Sequence, residues 1–240
     1  MADREFLVKL FNEINISLSE KQVEQFIIYY EMLVEKNKVM NLTAITEYEE
    51  VVVKDFVDSV LLNQIIDLNE VESVIDVGTG AGFPGIPLKI VFPHLIITLL
   101  DSLNKRINFL KEVVDRLKLE NVECIHGRAE DFGHNEDYRE NFDLCVSRAV
   151  ANLSTLSEYC VPFIKVNGMF ISYKSANLDE ELNNSENAIK ILGCSISDNK
   201  SVILPGTSDN TVRKFIVIKK GNKLSKKYPR KAGLPSKEPL

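Results

Sequence analysis

Little in this sequence points to a membrane, an oxidising compartment or a metal. No apolar run approaches the roughly 18 residues that a membrane-spanning helix requires. The amino terminus, Met1-Ala2-Asp3-Arg4-Glu5, is charged and lacks the long apolar stretch of a secretory signal. The four cysteines (Cys124, Cys145, Cys160 and Cys194) are widely spaced with no C-x-x-C among them, so they read as free thiols in a reducing cytoplasm. The three histidines are scattered, and no metal is expected. What remains is a cytoplasmic globular chain with no membrane partner. Its 240 residues are enough for one domain, or one domain with an attached arm.

A net charge of −6 argues, by itself, against a nucleic-acid partner. The distribution argues otherwise. Arg213 to Leu240 holds ten Lys/Arg against one acid, a balance of +9, while the rest of the chain stands at −15. Such asymmetry suggests an anion-binding tail on an acidic body. A solvated terminus that binds nothing in particular would have the same composition.

The stretch from Ser73 to Pro87, S-V-I-D-V-G-T-G-A-G-F-P-G-I-P, organises the chain. Val74, Ile75 and Val77 have the composition of a buried strand. Gly78, Gly80, Gly82 and Gly85 then fall within eight residues, and Ile86, Leu88, Ile90 and Val91 can line a helix. Strand, glycine turn and helix place a ligand at the carboxyl end of the strand. Gly80 to Gly85 formally matches the dinucleotide G-x-G-x-x-G, a weak signal alone. However, the glycines begin at Gly78, and Asp76 lies two residues before it. A carboxylate there suits a cationic ligand better than a pyrophosphate. The string D-V-G-T-G-A-G resembles motif I of S-adenosylmethionine-dependent methyltransferases, which implies that the turn approaches the methionine and ribose of that cofactor and that Asp76 helps hold its ammonium group.

The remaining pattern agrees with that fold. Glu5 to Ile14 is amphipathic, and Ser19 with Gln22 forms a capping-box signal for a second helix that breaks at Asn37 to Asn41. Thr46 with Glu49 is another such signal, opening a third helix through Ile65. Residues 1–70 therefore read as a helical extension packed on a sheet, residues 71–220 as the cofactor domain, and residues 221–240 as a basic tail. Leu95 to Leu100 is a second strand ending at Asp101, at the spacing from the glycines where an acid reaches ribose hydroxyls. Further strands are expected at Asn121 to His126, Phe142 to Ser147 and Gly168 to Lys174. Ser195 to Leu204 and Val212 to Ile218 have only a short link, so they pair antiparallel. The resulting expectation is an α/β fold of Rossmann-like, class I methyltransferase type. Its seven-stranded sheet is mostly parallel and closes on an antiparallel hairpin.

Arg148 follows the fourth strand, in the string Ser147-Arg148-Ala149-Val150. Methyltransferases of amino groups often carry Asp/Asn-Pro-Pro-Tyr there, which accepts hydrogen bonds from the amine. A ring nitrogen with a free lone pair, such as guanine N7, carries no proton to remove and needs only in-line placement. Arg148 is a candidate to orient the base through O6 or a phosphate, or to anchor the cofactor's carboxylate; donation to N7 would occupy the attacking lone pair.

Several strings together resemble the small-subunit ribosomal RNA methyltransferase G family, also called glucose-inhibited division protein B. They are Asn41-Leu42-Thr43-Ala44-Ile45, Asp76 to Leu88, Asp101-Ser102 with Lys105-Arg106, Arg128-Ala129-Glu130, Ser147-Arg148-Ala149, and Tyr228-Pro229-Arg230-Lys231-Ala232-Gly233. The resemblance implies methyl transfer from S-adenosylmethionine to N7 of one guanine in 16S ribosomal RNA, acting on the RNA or the small ribosomal subunit, with the protein a monomer. It implies cofactor contacts from Gly78, Phe83, Ala129, Glu130 and Arg148, the last also catalytic. Asp76, Gly80, Gly82 and Asp101 join them on chemical grounds. Lys174, Lys226, Lys227, Arg230 and Lys231 become candidate RNA contacts, and Pro229, Gly233 and Pro235 suggest an arm without regular structure. One position departs from the family. Asp55, in Lys54-Asp55-Phe56-Val57-Asp58-Ser59, stands where the family often has histidine, and Asp58 and Ser59 could equally be helix surface. Other readings stay open: a methyltransferase with another acceptor, an NAD(P)-dependent oxidoreductase, or a ribosome-associated binder without catalysis.

Overall fold

The computed structural model describes residues 3–148, 151–174 and 178–240. Ala149 and Val150 lie outside them. Seven strands form one sheet: β1 (Ser73–Val77), β2 (Ile96–Asp101), β3 (Val122–His126), β4 (Phe142–Arg148), β5 (Ile164–Lys174), β6 (Cys194–Ile203) and β7 (Val212–Lys220). Their order is β3-β2-β1-β4-β5-β7-β6. The first five run parallel, and β7 is antiparallel to both neighbours. Val74, Ile75 and Val77 are buried because helices cover both faces of a parallel sheet. Between β1 and β4 the strand order reverses, which opens a crevice at the carboxyl ends of the strands.

On one face, helices Arg4–Glu13, Glu20–Met40, Gly85–Val91 and Asn104–Leu117 share a core that includes Leu7, Phe26, Phe56, Ile86, Leu99 and Leu110. On the other, Leu153–Cys160 and Asp179–Ile191 pack through Leu156 and Ile189 against Ile75, Cys145 and Phe170. The capping box at Ser19 and Gln22 forms, and Gln22 also donates to the Ile90 carbonyl at 2.8 Å, tying the extension to the helix after the glycine turn.

Three local expectations change. The second helix does not break at Asn37. It runs to Met40, Asn41 closes it in the left-handed region, and the Asn37 side chain accepts from the Thr43 N–H at 2.9 Å. No capping box forms at Thr46 and Glu49, because Glu47 precedes the helix without a side-chain bond while the Thr46 carbonyl is held by the Tyr30 hydroxyl. The third helix is also not regular: Tyr48–Val51 leads into a π-helical turn, Val52–Val57, then Asp58–Val60 and a 3-10 turn, Leu61–Gln64. Wide turns of this kind often mark functional positions, and this one carries Asp55 and, just after it, Asp58 and Ser59, all buried.

The tail is not an irregular arm lying free. Leu224 and Tyr228 pack with Val161 and Leu192, and Leu234–Lys237 forms a short helix. The Arg139 guanidinium donates to the carbonyls of Gly133, Leu224, Ser225 and Tyr228. Among the described residues no helix is long and apolar enough to cross a membrane.

Candidate active site

The glycine turn is pinned to β2. The N–H groups of Gly78 and Thr79 both donate to the Leu100 carbonyl, and the Gly80 N–H donates to Asp101 Oδ2 at 2.9 Å. Gly80 has φ +63°, and a Cβ there would meet only the Gly78 carbonyl oxygen at 4.0 Å, so it is the backbone conformation that favours glycine. Gly82, at φ +111°, serves packing instead. A Cβ there would lie 2.6 Å from the Tyr29 hydroxyl and 2.7 Å from Ile86, and Gly82 is not among the residues that line the cavity over the turn.

A cavity of about 410 Å³ opens over this turn, walled by Gly78 to Ala81, Phe83, Asp101, Arg106, Asp55 and Arg148. A second, of about 270 Å³, shares Gly78, Asp101 and Ser102 with it and continues to Ala129, Glu130 and Tyr159. A third, of about 290 Å³, shares Asp55 and Arg148 with the first and continues to Asp58, Tyr173, Lys174 and Arg213. The three form a line across the crevice, and the Asp55–Arg148 pair stands where the first meets the third.

Asp76 is not in that wall. It is fully buried beneath the turn, where Oδ2 accepts from the Thr79 hydroxyl at 2.7 Å and the Gly85 N–H at 2.9 Å. Its other oxygen has no partner. Burial raises its pKa to about 7, against the opposing pull of the Thr79 and Gly85 hydrogen bonds. Through Oδ2, Asp76 holds the turn together. Asp101 lines the first and second cavities, but Gly80, Leu103 and Arg106 already donate to its carboxylate; Oδ1, with one donor, keeps a lone pair for a hydroxyl.

Arg148 is the last residue of β4 rather than a loop residue. Its guanidinium donates to the Lys54 carbonyl at 2.7 Å, to Asp58 Oδ2 at 3.2 Å and to Asp55 Oδ1 at 2.5 Å, and it lies over the Phe83 ring at 5.1 Å from the centroid. Arg213 holds the other Asp58 oxygen at 2.7 Å. Burial would lower the Arg148 pKa, but Asp55 and Asp58 outweigh it and raise it. For Asp55, burial dominates and raises the pKa even against Arg148. Asp58 and Ser59 are therefore not helix surface. Nothing local marks Asp58 as an ion-pair partner, since Arg148 and Arg213 lie far along the chain.

Glu130 lines the second cavity, yet its Oε1 accepts the Gly233 N–H of the tail at 2.8 Å. Ala129 lines the same cavity. Lys174 is paired with Glu181 at 2.6 Å, so the structure gives it an internal partner rather than a free surface position. Arg230, a candidate RNA contact, grips the buried Glu158 through Nε and Nη2 and lies against the body. Lys226, Lys227 and Lys231 are exposed. Sequence reasoning missed Tyr29, which is fully buried, stacks on Phe56 and donates to the Ala81 carbonyl at 2.6 Å, and it missed Arg106 as a cavity residue. Arg106 lay within a motif already quoted; Tyr29 had only its place on an apolar helix face.

A seven-stranded sheet in this order, with a glycine turn at the carboxyl end of β1, defines a class I S-adenosylmethionine-dependent methyltransferase. The fold resembles that of a methyltransferase from Aquifex aeolicus (TM-score 0.54, 17% identity, covering 74% of this chain and 96% of that one) and of a mitomycin 7-O-methyltransferase (TM-score 0.56, 12% identity, covering 80% and 60%). The family model described as rRNA small subunit methyltransferase G matches residues 22–205. Proteins of that name from Alkaliphilus metalliredigens and Bacillus subtilis are 53% and 49% identical to this chain, each over 95% of both sequences. The chain belongs to the rRNA small subunit methyltransferase G family.

Proposed function

We propose that this chain transfers a methyl group from S-adenosylmethionine to N7 of a guanine in small-subunit ribosomal RNA, acting as a cytoplasmic monomer. Family membership carries the cofactor and the RNA. The line of three cavities, with Asp55 and Arg148 where the first meets the third, is the observation that supports the arrangement: cofactor along the first two, acceptor base in the third. The residues fit the cofactor. Gly78 and Gly80 offer close backbone approach, Asp101 Oδ1 has a lone pair for a ribose hydroxyl, and Ala129 lies where the second cavity ends. When bound, the cofactor supplies a methyl group on a sulfonium, an electrophile that needs no activation.

The protein's task is then placement. Guanine N7 carries no proton, so no general base is required, and the Ser147-Arg148 strand end has no amine-accepting loop. Three of the five Arg148 N–H donors are used by Lys54, Asp55 and Asp58. A remaining donor can hold guanine O6 and leave the N7 lone pair free. Because its partners and the Phe83 ring fix the guanidinium plane, that hydrogen bond is pre-oriented. Exposed Lys226, Lys227 and Lys231 supply phosphate contacts without base readout.

The test offers S-adenosylmethionine with a labelled methyl group and the purified protein to small subunits and to stripped RNA from cells lacking the gene. Digestion and mass spectrometry should find label as 7-methylguanosine at one site. Label on another nucleoside would remove the N7 assignment, and no transfer to either substrate would remove the activity.

A further inference from the structure

We infer that Asp55 accepts the α-ammonium group of the cofactor's methionine portion, forming with Arg148 a clamp for an amino-acid zwitterion. The inference rests on the S-adenosylmethionine reading and adds the residue that neutralises one of its charges. Three acids lie near the glycine turn. Asp76 is sealed beneath it and does not reach the cavity wall. Asp101 is in the wall but already takes three N–H donors, one from the Arg106 guanidinium. Asp55 is in the wall, and only one of its oxygens is partnered: Oδ1 accepts from Arg148, while Oδ2 is buried with no donor.

A desolvated carboxylate oxygen without a donor is costly to maintain, and a cationic N–H donor entering the cavity removes that cost. The carboxyl turns on a soft torsion, so Oδ2 can swing toward the cavity while Oδ1 keeps Arg148. A free amino acid end needs an anion and a cation side by side, and Asp55 and Arg148 present them 2.5 Å apart, with two Arg148 N–H donors lacking partners among the described residues. An imidazole at position 55 would offer no anionic oxygen, so the contact belongs to chains with an acid there.

Isothermal titration of the full chain tests this with two ligands, S-adenosylhomocysteine and its desamino analogue, which keeps the carboxylate and lacks the ammonium. Neither carries a sulfonium and neither is turned over. The wild-type protein should bind the desamino analogue roughly tenfold or more weakly, the scale of a hydrogen bond to a charged group. Asp55→Asn, which still accepts from Arg148, should weaken S-adenosylhomocysteine by a similar factor and leave the analogue unchanged. Equal wild-type affinity for both ligands overturns the inference whether or not the variant folds. An equal loss for both ligands in Asp55→Asn also overturns it, because Asp55 would then only position Arg148. Wild-type protein that binds neither overturns the cofactor reading along with the clamp.

Discussion

Replacing Arg230 by alanine should cost stability while leaving the salt dependence of RNA binding in place. Glu158 is fully buried, and Arg230 supplies its donors: the backbone N–H at 2.7 Å, Nε at 2.9 and 3.1 Å, and Nη2 at 2.7 Å. Truncation leaves a carboxylate in the interior with only the backbone N–H, and breaking a buried pair from one side costs about 3–5 kcal/mol. For a chain of this size each kcal/mol is worth about 2–4 °C in Tm, so a fall of about 6–20 °C is expected by differential scanning fluorimetry. Adding Glu158→Gln to Arg230→Ala should recover most of the loss, since no charge is then stranded. Lys227→Ala is the counterpart. It should leave Tm within a few degrees and reduce the slope of log K against log salt by about 0.7 for a lost single-strand phosphate contact. An Arg230→Ala protein with unchanged Tm and a slope reduced by that amount would refute the reasoning, because the arginine would then be a phosphate ligand and its grip on Glu158 incidental.

Tyr29→Phe should lower the urea midpoint by the equivalent of about 1–3 kcal/mol, since the Ala81 carbonyl loses its 2.6 Å partner, and should weaken cofactor binding because the turn loosens; an unchanged midpoint contradicts this. Arg148→Ala should abolish most turnover and also destabilise the fold by about 3–5 kcal/mol, since Asp55 and Asp58 stay buried without it; near-normal methyl transfer would sink its assigned role. Asp76 should impose a pH dependence on stability. With its folded pKa raised to about 7, its proton is held more tightly than in the unfolded chain, so its contribution is largest below about pH 4 and is lost as pH rises from about 4 to about 7. Asp76→Asn removes that slope, and parallel stability curves for the two proteins between pH 5 and 7.5 would contradict the assignment.

The sheet was legible because its signals are local. Apolar runs of strand length, glycine after Val77, and a link too short for a helix between β6 and β7 are each read within a dozen residues, and together they dictate the topology. The π-helical turn was not legible: Val52 to Val57 has an apolar helix pattern, and the wider turn is recognised only from the hydrogen bonds it makes. Nor was the burial of Asp55 and Asp58. An acid on a helix reads as solvated unless its partner is known, and the partners Arg148 and Arg213 lie 93 and 155 positions away. The tail failed for the same reason. Six basic residues and three turn formers look like a solvated arm until Glu158 and Arg139, both remote in sequence, are seen to hold it.

A tail that is pinned also changes what its charge can do. A free basic arm would have to order its backbone and its lysine side chains on meeting RNA, at about 0.5–1.5 kcal/mol for each flexible side chain immobilised. Here the backbone is already fixed by the Arg139 carbonyl bonds, the Arg230–Glu158 pair and the Gly233 N–H on Glu130. Glu130 also lines the second cavity, so the main chain at Lys231, two residues before Gly233, stands at a set position relative to that cavity. On the proposed reading, Lys226, Lys227 and Lys231 would register an RNA backbone from a main chain that is already ordered. Registration of that kind is what a reaction without a general base requires, because placement of N7 is then the whole of the protein's contribution to the rate.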